Sequence, residues 1–433
     1  MKSQTKLKAA VNASLSVMLA YLLSIYLGMG SDAATAATTV MLIATAENFR
    51  SSLQRGVYRV FGTILGAIIG MTLIALFPQD RMLYLFSLSI FVTFFLYLAR
   101  AYRGDKTVFM LTAITMMMVF KEGAVDDVFL YGINRTVMTI FGIVIYTVVV
   151  VFLFPRKSIN SESKQAQKVQ FIWFDIEDMK ASLITFLIFW AGVYVWIVYH
   201  PPQGFYIVAL ATALSLYTTF SLISSMSLII LFSISFIFAA LSYVFILPNL
   251  QGGLELGIFL FCYSFIGFYF LNPKISIFFL LGLSTFLIQN EMIYNFQIFM
   301  IVLLIFYMFL FLLLLFDYIP FNAKPHAMFL RLSQRYFRFA KSILESNYLL
   351  PYAQQFLSLT VQKMQLYMAA IDFKYYSKIS KNELAEYVRE CQEFAKELED
   401  YMLSGQKVPP KKLLVEYEKL SAKKLDILKE SKF

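Results

Sequence analysis

Charge is what this sequence has least of. Only 15% of its 433 residues are Asp, Glu, Lys or Arg, against roughly 25% in a soluble domain. With 59% hydrophobic residues and a mean hydropathy of +0.68, this excludes an ordinary water-soluble fold and places the chain in a bilayer. Cysteine is nearly absent. Cys262 lies in an apolar run and Cys391 in a polar tail, so no disulfide is expected and each thiol reads as a spectator. The two histidines, His200 and His326, stand without cysteine or carboxylate company. No metal site, catalytic triad or cofactor is therefore expected. A GxxxxGK[ST] phosphate loop is missing too, which excludes ATP hydrolysis by that route. The chain does not read as an enzyme.

What fills the sequence is apolar. Twelve segments recur at about 9–27, 33–46, 60–77, 83–99, 107–120, 133–154, 181–199, 205–219, 227–247, 256–271, 275–288 and 296–316. Most approach the roughly 20 residues that cross the hydrocarbon as a helix. Lipid leaves an open strand edge unpartnered, so the expected class is all-α and polytopic. With an inward N-terminus, one side of residues 1–317 holds fifteen Lys and Arg and the other only three. This bias predicts that both termini are cytoplasmic.

The chain also echoes itself. "KAAVNASLSVMLAYLL" at 8 returns as "KASLITFLIFWAGVYV" at 180, and "LIALFP" ending at Pro78 returns as "YVFILP" ending at Pro248. Offsets of 172 and 170 across six spans predict two parallel six-helix repeats. The first is expected over 1–157 and the second over 180–320, joined by a polar cytoplasmic linker at 158–179. Residues 321–433 follow as a cytoplasmic helical domain. From 318 onward there are 19 Lys+Arg against 13 Asp+Glu, a net of +6. Arg331, Arg335 and Arg338 share one helical face there, opposite Met328, Leu332, Phe339 and Ile343. A bundle with a solvated charged face is the expected form; a first helix lying on anionic lipid is the alternative. Mixed charge argues against nucleic acid as a partner. Ser380 with Glu383 has the spacing of a capping box.

The candidate functional residues cluster in the first half. Gly62, Gly66 and Gly70 in "RVFGTILGAIIG" form a bare ridge that invites close helix packing, with Arg59 at its root. Arg135, Thr139, Gly142 and Tyr146 form one polar stripe in an aliphatic span, and Gly142 is a second packing position. Arg59 reads either as a positive-inside anchor or as an anion partner, and Arg135 either as a snorkelling residue or as a bidentate carboxylate site. Segments 2, 5, 8 and 11 are short and rich in hydroxyls, which in matching places of two repeats points to a midplane site. They contribute Thr38, Thr39, Thr112, Thr115, Tyr206 and Thr212 as candidate substrate-binding residues. Glu47 and Asp32 are candidates for a salt bridge or proton relay. Arg81 reads as an exposed turn residue.

These residues carry a resemblance. "NFRSSLQRGVYRVFGTILGAIIG" is similar to a signature R-G-x-x-R-x-x-G-T-x-x-G of the fusaric acid resistance, or aromatic acid exporter, family. "INRTVMTIFGIVIYTVVVVFLFP" resembles a second, with an arginine opening the sixth span, a glycine seven residues on and a closing proline. The second half has no arginine where Arg59 and Arg135 would recur. The resemblance implies an inner-membrane efflux protein for aromatic or other organic acid anions, working with a periplasmic adaptor protein; plant malate channels look distantly similar. The leading expectation is a proton-driven exporter in the inner membrane. A passive anion channel and a non-transporting scaffold with an interaction domain are the alternatives. Expected partners are the lipid bilayer, small organic anions, that adaptor and further copies of the chain.

Overall fold

The computed structural model describes residues 2–29, 32–46, 49–102, 105–119, 125–154, 176–200, 208–209, 212, 225–286, 288, 296–318, 325–345, 353–369, 371, 380–404 and 409–430. Every element of regular structure among them is helical. Two compact units divide the chain: Met1–Phe220 with Ser224–Phe316, and Asp317–Phe433 with Ser221–Ile223.

The first unit contains α1 (Lys2–Tyr26), α2 (Ala33–Ala44), α3 (Phe49–Leu76), α4 (Arg81–Ala101), α5 (Thr107–Met118), α6 (Val125–Phe152), α7 (Ile176–Tyr199), α8 (Ser225–Leu241), α9 (Gly253–Phe270), α10 (Pro273–Leu280) and α11 (Phe296–Tyr318). Among the described residues, seven of its helices are long and apolar enough to cross a membrane, and four shorter apolar helices accompany them. Together they account for eleven of the twelve expected segments. The eighth, 205–219, lies largely outside the described residues. Two of the expected short segments are short in the structure: α2 and α5 have 12 residues each, about 18 Å of helix against a hydrocarbon core of about 30 Å. The eleventh begins as α10 and tightens into a 3-10 turn over Leu281–Phe286.

Local chemistry sets the boundaries. α1 ends where Gly28 takes φ +75°. The Gly28 amide donates to the Ile25 carbonyl and that of Met29 to Ser24, which is a Schellman stop. α4 begins where Asp80 accepts from the Leu83 amide. α8 continues into a π-helical turn over Ser242–Ile246, which Pro248 closes as a 3-10 turn.

Two antiparallel seams join early helices to late ones. Along α4 and α7, Tyr84, Leu85, Leu88 and Val92 form a core with Phe189, Val193, Trp196 and Val208. Arg100 Nε meets Asp178 Oδ1 at 3.1 Å at one end of this seam. The Trp190 indole donates to Ser89 Oγ at 3.2 Å in its middle. Arg81 lies 3.9 Å from the Trp196 ring centroid at the other end. Arg81 is thus exposed as expected, yet it is not idle. Along α1 and α9, Gly257 packs against Met18 and Leu22, and Lys6 lies over the Tyr269 ring.

Among its described residues the second unit has four helices, α12 (Pro325–Glu345), α13 (Ala353–Ala369), α14 (Lys381–Ser404) and α15 (Lys411–Glu430). α12 buries Phe329, Leu332, Tyr336, Phe337, Ala340 and Ile343 against the apolar faces of the other three. The Tyr336 hydroxyl donates to the Cys391 carbonyl at 2.7 Å, and Ser333 shares a hydrogen bond with Tyr387. The capping box forms as its spacing predicts: Ser380 Oγ accepts from the Glu383 amide and Glu383 from the Ser380 amide. Cys391 is fully buried, and burial pushes its thiol up to about 12.

Candidate functional site

The glycine ridge faces α5. A Cβ on Gly62 would lie 2.6 Å from the Val108 carbonyl oxygen, one on Gly66 2.6 Å from that of Thr112, and one on Gly70 3.1 Å from that of Met116. Each step of four residues on α3 matches a step of four on α5, so the two helices run parallel in register. Gly142 serves the same purpose between α6 and α2, where a Cβ would fall 2.5 Å from the Ala36 carbonyl oxygen. Glycine is required at these places because backbone approaches backbone.

These contacts draw α2, α3 and α6 together around Arg59. Its side chain is only 6% exposed, and Nε donates to Thr39 Oγ1 at 2.9 Å. The Thr39 hydroxyl donates in turn to the Thr35 carbonyl at 2.8 Å. Tyr146 follows Gly142 by one turn on the face of α6 that meets α2. It is 1% exposed, and its hydroxyl is buried without a hydrogen-bond partner. A buried phenol without a partner is uncommon, since the loss costs on the order of 1–3 kcal/mol. Thr115 Oγ1, set against Gly66, is in the same condition. Arg59 is thus buried against the Thr39 hydroxyl of α2, while Tyr146 and Thr115 carry hydroxyls with capacity to bond a ligand.

Arg135 sits differently. It is half-buried, and its Nη1 donates to the Tyr131 hydroxyl one turn back on α6 at 3.2 Å. Gly56 packs on Ile143, and Gly132 on Ala67 and Met71, so α3 and α6 are antiparallel. That register separates Arg59 and Arg135 by roughly 8 Å along the helix axis at 1.5 Å per residue.

Other expected residues bond their own helices. Thr38 donates to the Thr35 carbonyl, Thr112 to Val108, Thr139 to Arg135 and Thr212 to Val208. Hydroxyls within spans commonly bond the preceding turn in this way. Asp32 stands at the N-cap of α2 without capping it through its side chain. Glu47 and Tyr206 lie outside the described residues. Among the described residues no group of three His, Cys, Asp or Glu could hold a metal ion.

Two features escaped the sequence reading. Asn12 donates from Nδ2 to the Phe154 carbonyl at 3.0 Å, tying α1 to the end of α6, while its Oδ1 is buried without a partner. A lone amide in "KAAVNASLSV" was the available signal. Asp178 falls in the segment read as linker, yet α7 already begins at Ile176, and the Asp178 side chain is 5% exposed.

This architecture defines a multi-pass helical membrane protein. Residues 7–170, spanning α1 to α6 with the glycine ridge and both arginines, match the fusaric acid resistance protein family. The family resemblance of the two arginine–glycine signatures is thereby borne out over that segment. No curated protein and no solved structure matches the chain.

Proposed function

We propose that the protein is an inner-membrane exporter of organic acid anions, aromatic acids among them, driven by the proton gradient. Both termini are cytoplasmic, and a periplasmic adaptor and further copies of the chain are candidate partners. The observation that carries the reading is Arg59: a guanidinium buried at the root of an apolar helix and oriented by Thr39, among helices that include the unpartnered Tyr146 hydroxyl. Charged residues inside a membrane are costly and mark ion or substrate paths. A guanidinium offers a carboxylate two parallel donors. Arg135 supplies a second cation further along the same path. Thr38, Thr112, Thr115, Thr139, Tyr206 and Thr212 are its candidate substrate-binding residues, and Glu47 or Asp32 its candidate proton carrier.

Two parallel six-helix repeats build this path. An offset of 170 residues carries Arg100 on α4 to Phe270 on α9, and one of 172 carries Asp178 on α7 back to Lys6 on α1. The α1–α9 seam has Lys6 over Tyr269 at that end, within one residue of the match. A Cβ on Gly282, in the turn after α10, would lie 2.7 Å from Ser235 Oγ on α8, which supports a counterpart of the α3–α5 contact.

The test is uptake of aromatic and aliphatic carboxylates into proteoliposomes under an imposed pH gradient. Arg59→Gln is expected to weaken anion affinity by about tenfold to a hundredfold, the equivalent of one charge-assisted hydrogen bond. Arg59→Lys is expected to recover only part of it. Transport that ignores the pH gradient and reverses with the anion gradient would make the protein a channel. Wild-type affinity in properly inserted Arg59→Gln would remove Arg59 from the path.

A further inference from the structure

We propose that the exposed face of α12 is a docking surface for anionic phospholipid headgroups. The inference does not rest on transport. α12 begins seven residues after α11 ends, so at most about 25 Å of chain separates it from the last apolar helix. It carries four cations, Arg331, Arg335, Arg338 and Lys341, against one carboxylate, Glu345, a net of +3. Spacings of three and four residues put them on one stripe. Arg331, Arg338 and Lys341 are exposed, and Arg335 is held over the rings of Phe339 and Phe356.

Charge in this unit is segregated by helix. α14 holds three cations against seven carboxylates, a net of −4. α15 spends two lysines on it: Lys412 pairs with Glu397 and Lys423 with Glu390. The basic stripe is thus on the helix next in sequence to the membrane, and the acidic one is two helices away. The opposite side of α12 is consumed by the bundle core. The helix therefore cannot roll its apolar face into lipid. What remains is an electrostatic contact at headgroup level, of the kind that clustered juxtamembrane Lys and Arg make with anionic leaflets.

The test uses the full chain in nanodiscs, with Gln334→Cys as a labelling position on the stripe and Cys262→Ser to remove the other reactive thiol. A fluorophore at 334 is read against a quencher attached to lipid headgroups. In discs containing about one third phosphatidylglycerol, strong quenching is expected, and it should fade in pure phosphatidylcholine or near 1 M salt, where screening falls within about 3 Å. Arg331→Gln, Arg338→Gln and Lys341→Gln together should shift docking by about a hundredfold, as three cations near an anionic surface do. Continued protection of Cys391 from maleimide confirms that the bundle of this variant is folded. Equal quenching in both lipids, none in anionic lipid, or an unaffected triple variant would overturn the proposal. So would a single-stranded oligonucleotide that binds the solubilised wild type at physiological salt and not the triple variant, because the stripe would then be a nucleic-acid surface.

Discussion

Replacing Gly66 by alanine tests the ridge with a single carbon atom. The new Cβ would stand 2.6 Å from the Thr112 carbonyl oxygen and 2.9 Å from the Thr115 Cβ. Ordinary contact begins near 3.4 Å, so α5 must withdraw by about 0.8 Å, the difference between those distances. No rotamer can relieve the clash, because the atom in the way belongs to backbone. The withdrawal also loosens the contacts at Gly62 and Gly70, which lie on the same register. Overpacking of this kind costs about 1–3 kcal/mol, and alanine returns up to about 1 kcal/mol through its better helix propensity. A net loss of about 1–2 kcal/mol is expected, seen as a lower unfolding temperature of the full chain in detergent. Gly70→Ala meets its nearest atom at 3.1 Å and should cost less. Gly253→Ala, with nothing within 4 Å, should be silent. If Gly66→Ala is as stable as wild type, or Gly70→Ala is the worse of the two, the α3–α5 interface is not packed as described.

The α4–α7 seam offers a second test. Asp178→Asn leaves Arg100, whose side chain is 12% exposed, without its carboxylate, and breaking a buried pair costs about 3–5 kcal/mol; an unchanged unfolding temperature would show the pair to be solvated. Cys391 reports on the second unit. At pH 8 a thiol raised to about 12 is about one part in ten thousand thiolate, and the thiolate is the reactive form. Maleimide should therefore reach Cys391 only after denaturation, and rapid native labelling at Cys391 would contradict the buried core of the second unit.

Much of this was legible because it is local. The capping box at Ser380 and Glu383 needs only a spacing of three, and both of its hydrogen bonds are present. The glycine ridge needs only a spacing of four, and each of its members meets α5. The short second and fifth segments follow from how soon polar residues interrupt them. The Arg100–Asp178 pair was hidden for the opposite reason. Asp178 precedes the apolar run of its helix by three residues, and its partner lies 78 positions away. A periodicity argument therefore assigns it to the linker, and only tertiary packing buries it. The threonines show a further limit: composition concentrates hydroxyls in short helices, but cannot separate Thr112, which bonds its own turn, from Thr39, which holds Arg59.

The positions one sequence offset on from the two arginines carry different chemistry. An offset of 170 residues carries Arg59 to Ile229 and Arg135 to Ile305, and Ile305 is 1% exposed. Beside those positions Phe232 packs edge-on to Phe278 and stacks on Phe236, which meets Phe306 with centroids 5.0 Å apart. Where the first half keeps guanidinium and hydroxyl groups, the second has aliphatic and aromatic side chains at interlocked distances. Buried arginine is retained only where something offsets its desolvation, whereas an aromatic cluster stabilises itself through area and ring geometry. The small-residue contact has changed sides as well, from Gly66 on α3 to Gly282 after α10. Close helix approach is thus made by different residues in the two segments, and neither arginine has a counterpart one offset on. Packing alone accounts for the glycines in both halves. It does not account for Arg59, the buried guanidinium on which the proposed anion path rests.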